Sequence, residues 1–400
     1  MSSTTFRYGD SDGRGECCGE ASKKRKQANA RKGMDILARH RDEDESTRKD
    51  ATGYRHAHRI DMDEDTALHG DRQSPRVLAI IVSWNSGDWL VPCIQALQAQ
   101  SYPAISIVVW DNASEARTSA RLREIESAYP AVRVERSPEN LGFAGGNNAA
   151  AALDTAAPYI LTVNPDALLA PDCVRLLVDA AEANRDCGAF GVTQLFPDGK
   201  HFDGIGDCYN PAGMAWRGRY GEPVADLGST PRPIVSPCAA VALYRRSAFD
   251  ACGGFDRDFF CYLEDVDLGL RLQLMGLGSL HVPAARALHS GGSTTGQRSD
   301  FASYHGHRNM IWVYCKNMPG LLFWLFLPLH LAANLMSILV LMARGQFRVA
   351  YLAKIDALRE LPRMLARRRR IQNARVIAPL GLLRVLTYSL HVSQLLGRRN

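Results

Sequence analysis

The chain has 400 residues, 46% of them hydrophobic and 22% charged, with a formal net charge of +6. That length allows one large domain or two ordinary ones with a sizeable core, and the composition is that of a globular protein. Basic residues crowd roughly the last sixty positions, which points to an anionic surface as partner, phospholipid ahead of nucleic acid. No nucleic-acid partner is expected. The 10 cysteines are scattered and none forms a CxxC pair with ligand spacing, which argues against structural zinc. Without a signal peptide at the start, reduced thiols in a cytosolic domain are the simpler expectation.

Residues 1–75 are polar and charge-mixed, cannot bury enough surface to offset their ordering entropy, and are expected to be disordered. Met34 and Met62 offer later starts. From Arg76 the character changes. Val77–Trp84 (VLAIIVSW) is a continuous apolar run, as for a strand buried on both faces of a parallel sheet. Asp88–Gln100 reads as a helix, Ile105–Trp110 as a second strand, Thr118–Ala128 as a helix and Val132–Arg136 as a third strand. This alternation implies a doubly wound α/β sheet, whose ligands sit at the carboxyl ends of the strands, where Asn85, Asp111 and Ser137 fall.

Glycines in Asn140–Asn148 (NLGFAGGNN) would let backbone approach a ligand and open a helix over Asn147–Leu153. The pattern is not GxGxxG, which disfavours a dinucleotide fold. Tyr159–Val163 is a fourth buried strand running into Asn164-Pro165-Asp166, where an acid can hold a divalent cation against phosphate; an Asx turn is the competing reading. Pro171–Asn184 reads as a helix and Gly188–Phe196 as a strand. Asp198–Pro233 has no clear period and reads as a binding loop for an acceptor. Val235–Tyr244 and Ser279–Val282 read as strands, and His289 falls in a flexible small-residue loop, His289-Ser290-Gly291-Gly292-Ser293.

Gly253–Arg271 (GGFDRDFFCYLEDVDLGLR) sets Glu264, Asp265 and Asp267 behind an aromatic run. A carboxylate against apolar surface resists ionisation and becomes a useful proton acceptor. The leucines that follow are helix formers, so capping of a helix N-terminus is the alternative role.

VSWN (82–85), VVWDNAS (108–114), NLGFAGGNN (140–148), NPDALL (164–169), the Gly253–Arg271 stretch and HSGGS (289–293) occur in that order. Together they resemble the family 2 glycosyltransferases of GT-A fold, in the bacterial rhamnosyltransferase-like branch, over about Arg76 to Asn309. The resemblance implies a Rossmann-like, mostly parallel sheet with helices on both faces. It implies that Asp111, with Trp84 and Asn85 nearby, contacts the base or ribose of a nucleotide sugar, and that Asn140, Asn147 and Asn164 lie near the nucleotide and its diphosphate. Asp166 and His289 resemble the holders of a Mg²⁺ or Mn²⁺ ion, with Asn164 replacing the first acid of a DxD motif. Asp265 resembles the catalytic base, with Glu264 as its neighbour. Cys238-Ala239-Ala240 replaces the usual glycine-containing turn.

The implied reaction is an inverting transfer from a nucleoside-diphosphate sugar, with rhamnose one candidate, to a hydroxyl of a glycan or polyprenyl-diphosphate-linked acceptor in cell-wall or surface-polysaccharide synthesis. A nucleotidyltransferase is the enzymatic alternative, but WNSGDW (84–89) is not the basic glycine-rich loop it would carry. An inactive membrane-bound scaffold is the other. Asn317–Ala343 lacks Lys, Arg, Asp and Glu and could span a bilayer by length. A single span would put the basic tail on the wrong side. The expectation is therefore shallow association of helical residues 316–400 with the cytoplasmic membrane face, following a catalytic domain over 76–315. A hairpin bent at Pro328 and a second crossing by Val376–Leu396 are the alternatives, and a homodimer is left open.

Overall fold

The computed structural model describes residues 74–291 and 299–388. The segment expected to be disordered lies outside these, apart from Ser74 and Pro75, as do Gly292 and Ser293.

The sheet is built outward from β1 (Val77–Ser83), which pairs in parallel with β2 (Ile105–Asp111) and β4 (Tyr159–Val163); β3 (Val132–Arg136) continues the parallel half beyond β2. Past β4 the sheet becomes mixed. There β11 (Val241–Arg245) runs antiparallel between β4 and β6 (Cys187–Leu195), and β12 (Gly278–His289) lies parallel to β6. Short strands β5 (Ala167–Leu169) and β10 (Arg232–Pro233) add to β12, and β7 (Phe202–Gly204) adds to β6. A separate ribbon pairs β8 (Asp207–Tyr209) with β9 (Ala215–Arg217).

Successive strand residues point to opposite faces, so β1 seeds two cores at once. Val77, Ala79 and Ile81 cluster with α1 (Leu90–Gln98), α2 (Ala116–Ala128) and α4 (Cys173–Ala183). Leu78 and Ile80 cluster with α3 (Gly142–Ala151), α5 (Arg246–Ala251) and α6 (Glu264–Leu274). Helices thus cover both faces, which is why β1 reads as an unbroken apolar run.

Five local expectations are corrected. The helix expected from Asn147 begins at Gly142, because its glycines are used for contact: a Cβ on Gly142 (φ +71°) would stand 2.4 Å from the Phe260 carbonyl oxygen. Only the end of Val235–Tyr244 is strand, since 238–240 turns towards the site. The short strand at 279–282 is part of a twelve-residue β12 that absorbs Pro283 at a register shift between Val282 and Arg286. Consequently His289 ends a strand and is buried, not in a flexible loop. The 198–233 stretch holds β7 to β10.

After β12 come α7 (Asp300–Asn317), α8 (Gly320–Ala343), α9 (Phe347–Arg359) and α10 (Leu361–Asn373). Val266, Leu270 and Leu274 on the outer side of α6 share a third core with Trp312, Val313 and Met364. Across it, buried Lys316 pairs with Asp256 at 2.5 Å and with Asp267 at 2.7 Å. Burial opposes ionisation of Asp267, but Lys316 and Arg271 outweigh it and hold the carboxyl down to about 2. The expected boundary at 315/316 therefore falls in the last turn of α7, inside this network.

Helix α8 runs unbroken through Pro328, so there is no hairpin at that position. Of the second expected crossing, the described part holds a short 3-10 turn, Pro379–Arg384; residues 389–396 lie outside the described residues. The stripe Leu322, His330, Asn334, Ser337 and Leu341 is buried, while Leu321, Trp324, Leu325, Leu331, Leu335 and Met336 are 55–70% exposed. Polar side chains therefore point inward and apolar ones outward, the reverse of a helix on a soluble protein. His330 Nδ1 donates to the Ala212 carbonyl (2.8 Å) and its ring stacks on Tyr314. Lys354 Nζ donates to Asn334 Oδ1 at 2.6 Å. By length and composition alone, α8 is the one helix among the described residues able to cross a membrane.

Candidate active site

The carboxyl ends of β1 and β2 are tied together by asparagines. Asn85 takes a left-handed conformation (φ +52°), which asparagine tolerates, and its Oδ1 accepts from Glu115 N–H at 2.8 Å. Asp111 Oδ1 accepts from Ser114 N–H at 3.1 Å, and Ser114 Oγ accepts from Asn85 N–H at 3.0 Å. Trp84 follows β1, half-buried beside this turn. Asn112, not singled out from sequence, is the clasp to the glycine-rich stretch: its Nδ2 donates to Asn140 Oδ1 and to the Gly142 carbonyl, both at 2.9 Å. Asn147 is buried; Nδ2 donates to the Phe143 carbonyl, while Oδ1 has no partner among the described residues.

Gly146 lies flush on Val82, and Ala144 N–H donates to the Phe260 carbonyl at 3.1 Å, which links α3 to the acidic motif. The turn before α6 is strained. Phe260, Tyr262 and Leu263 all have φ of 65–68°, at roughly 1–3 kcal/mol each for such residues. Asn309 of α7 holds it, with Nδ2 directed at the carbonyls of Phe259 (3.1 Å), Cys261 (2.9 Å) and Tyr262 (2.7 Å). Glu264 and Asp265 occupy the first turn of α6, after its N-cap Leu263, and no side chain caps the helix, so the capping role is not the one the structure gives them.

At the tip of β4 the structure brings together Asn164, Asp166 and His289. His289 Nε2 lies 3.4 Å from Asp166 Oδ1 and 3.2 Å from Asn164 Nδ2. Its Nδ1 meets Asp203 Oδ2 at 2.7 Å, and Asp203 also takes Arg217 Nη1 at 2.6 Å. Burial disfavours a charged imidazole, but Asp166 and then Asp203 override it and raise His289 to about 9. Neither Asp203 nor Arg217 was legible as a site residue, because the strands that carry them are three residues long.

The Cys238–Ala240 turn joins this tip to the acidic motif. Ala239 N–H donates to Asp265 Oδ2 (3.1 Å), the Ala239 carbonyl accepts from Thr162 Oγ1 of β4 (2.8 Å), and the Ala240 carbonyl accepts from Asn164 N–H (2.7 Å). Asp265 is half-buried, and burial lifts its carboxyl above the ordinary range although Ala239 and Val266 N–H groups and Arg217 pull the other way. Buried Glu264 is pushed well up by burial and then by Asp265. Asp207, which accepts from Ser236 Oγ at 2.9 Å, is pushed well up by the same two causes. Only one of these neighbouring acids is therefore poised to ionise first.

Among the described residues no three or more His, Cys, Asp or Glu side chains converge on one point as a self-sufficient metal site. The pair His289 Nε2 and Asp166 Oδ1 nevertheless fits a hydrated divalent ion, which would take the place of the Nε2 proton that Asp166 favours when the site holds no cation. Such an ion takes one or two protein ligands, and a carboxylate already orients the ligating imidazole from behind.

A family model for glycosyl transferase family 2 matches residues 78–253. Rhamnosyltransferase WbbL of Escherichia coli K12 is 30% identical over 229 residues, covering 53% of this chain and 83% of that protein. The chain is a family 2 glycosyltransferase. This glycosyltransferase is also 29% identical over 255 residues, 56% of its length, to 80% of an N-acetylglucosaminyl-diphospho-decaprenol L-rhamnosyltransferase of Mycobacterium tuberculosis. It falls in the rhamnosyltransferase-like branch, as the ordered motifs implied. Solved structures similar to the transferase include GalNAc-T7 with UDP, GalNAc and Mn²⁺ (TM-score 0.47, 16% identity, 61% of this chain and 48% of that one). Another is the mannosyltransferase PcManGT from Pyrobaculum calidifontis with GDP-Man and Mn²⁺ (TM-score 0.46, 16% identity, 76% and 86%). The enzyme's sheet, with its parallel half and helices on both faces, is the α/β arrangement expected for the family.

Proposed function

We propose that this glycosyltransferase is inverting and metal-assisted, with Asp265 as the base that deprotonates the acceptor hydroxyl. The observation that carries this is the Ala239–Ala240 turn, whose backbone bonds the proposed base through the Ala239 N–H and the start of the Asn164–Asp166 tip through the Ala240 carbonyl. Direct displacement needs one base on one side of the anomeric carbon and charge neutralisation of the leaving diphosphate on the other. Asp166 and His289 would hold Mg²⁺ or Mn²⁺. When bound, the ion supplies Lewis-acid neutralisation of the diphosphate. Asp203 orients His289, and the upward shift of the buried Glu264 carboxyl disfavours a second negative charge beside Asp265. The sheet half bearing Trp84, Asn85, Asp111, Asn140 and Asn147 would receive the nucleotide.

The acceptor is read as a polyprenyl-diphosphate-linked sugar and the transferred sugar as rhamnose, on the names of the relatives, with dTDP-rhamnose the donor to be tested first. The outward apolar face of α8 supports a lipid environment, since so large an exposed apolar surface is unfavourable in water. Docked residues recur from Leu322 to Leu341, about 29 Å of helix, so α8 rests on the domain along its length and is read as lying in the membrane plane. We place that membrane at its cytoplasmic face.

A donor screen tests the reading. Full-length protein with a lipid-diphosphate sugar acceptor is given dTDP-rhamnose or UDP-hexoses, with Mg²⁺, Mn²⁺ or EDTA, and the product's anomeric configuration is read by NMR. Metal-dependent release of nucleoside diphosphate with an inverted product supports it. Retention of configuration, or full turnover in EDTA, overturns it.

A further inference from the structure

On the side of the acidic motif away from this chemistry, a cleft of about 530 Å³ opens between the Gly253–Asp258 turn and α10. Arg257, Arg271, Lys316, Arg363, Arg367 and Arg370 line it against two carboxylates, Asp256 and Asp258, an excess of four positive charges. Three of the cations are committed. Lys316 pairs with Asp256 and Asp267, Arg363 with Asp258 at 2.6 Å, and Arg367 with Asp256 and with Asp258 at 2.5 Å. The other three retain capacity. Arg257 and Arg370 are exposed and form no ion pair among the described residues. Arg271 is 7% exposed and uses Nε on Asp267 and Nη1 on the Cys252 carbonyl, yet its Nη2 has no partner among the described residues.

Burying an idle guanidinium donor beside two free guanidiniums is costly unless something accepts from them. The planar fork of arginine matches phosphate oxygens, and the volume admits a group larger than one phosphate. None of the residues assigned to the donor, the ion or the base lines the cleft. Arg271 lies six residues beyond Asp265 on α6, about 9 Å along the axis and roughly 120° around it. The helix that walls the cleft, α10, is itself joined to α8: Arg368, the residue after Arg367 and outside the cleft lining, lies 4.7 Å over the Phe323 ring and donates to the Cys315 carbonyl at 2.9 Å.

We propose that this cleft binds a phosphate-bearing anion, a phosphomonoester or diphosphate, separately from the transfer site. The group comes either from an anionic lipid headgroup beside α8 or from a soluble phosphate compound.

The test uses full-length protein in EDTA, which disables metal-bridged binding at the donor site. Inorganic pyrophosphate is titrated calorimetrically into wild type and into the Arg257→Gln/Arg370→Gln double variant, both positions being exposed; a single Arg370→Gln variant guards against misfolding. Wild type should bind, with affinity falling as salt rises, and the double variant should bind about tenfold or more weakly, while sugar transfer in detergent stays within about twofold. Flotation with phosphatidic acid or phosphatidylcholine vesicles, the first bearing a phosphomonoester headgroup, then assigns the source. Loss of phosphatidic acid preference in the variant identifies a lipid headgroup, and unchanged preference alongside lost pyrophosphate binding identifies a soluble ligand. No pyrophosphate binding to wild type, or undiminished binding to the variants, overturns the proposal.

Discussion

Asp203 Oδ2 sits 2.7 Å from His289 Nδ1, so the imidazole is held from behind and turns its Nε2 towards Asp166, 3.4 Å away. If that pair holds the ion, Asp203 acts through His289 and not on substrate. Asp203→Asn should then cut metal-dependent turnover about 10–100-fold, the usual effect of removing the partner of a ligating histidine. The Mn²⁺ concentration for half-maximal rate should rise. Because Asp203 also neutralises Arg217, thermal stability of the variant is measured alongside. An unchanged metal requirement would remove His289 from the ion.

Asp265→Asn keeps the size and the hydrogen bond from Ala239 but cannot take a proton. Transfer should fall about 10²–10⁴-fold, with donor affinity by calorimetry changed less than about threefold. Burial raises the Asp265 pKa. Since the base works ionised, wild-type kcat/KM should fall as pH drops through that raised value, at a higher pH than for an ordinary carboxylate. Residual Asn activity should lack this limb. Wild-type-like turnover in the variant would reassign the base.

Asn309 offers one side-chain amide to three carbonyls of a turn with three left-handed non-glycine residues. Asn309→Ala strips those acceptors of their donor and should cost about 2–4 kcal/mol in chemical denaturation. Because the same turn aims Asp265, transfer should fall further than lost folded fraction explains. A stability loss with unchanged specific activity of the folded enzyme would show that the turn does not position the base.

His281 is buried between β6 and β10, with Nε2 at 2.9 Å from Thr193 Oγ1. Burial, and then Arg232, lowers its pKa to about 4, against about 6.5 in an unfolded chain. The unfolded state therefore binds the extra proton first as pH falls, and stability is lost between about 6.5 and 4, by at most ~3 kcal/mol from this residue. Glu264 and Asp207, raised by burial, act in the opposite direction. The clean measurement is a difference: wild type minus His281→Asn stability should be largest near pH 7.5 and shrink towards pH 4.5. A difference that does not change with pH would show that the site tolerates the charged ring.

The sequence by itself determined what depends on near neighbours. Apolar runs of strand length separated by helical stretches specify the parallel half, because a strand buried on both faces must be apolar throughout. Short ordered motifs placed Asp111, Asn140, Asp166, Asp265 and His289, and with them the family. The tertiary structure decided what depends on distant partners. His289 is a fixed strand-end residue because β12 runs through a proline at a bulge, which no local pattern announces. Asp203, Arg217, Asn112 and Asn309 matter only through partners 14 to 86 positions away, so their own flanking sequence is silent. The inward polar stripe of α8 is likewise invisible to hydropathy alone: composition says that the helix is apolar, and only packing against Tyr314, Ala212 and Lys354 shows which side the protein keeps.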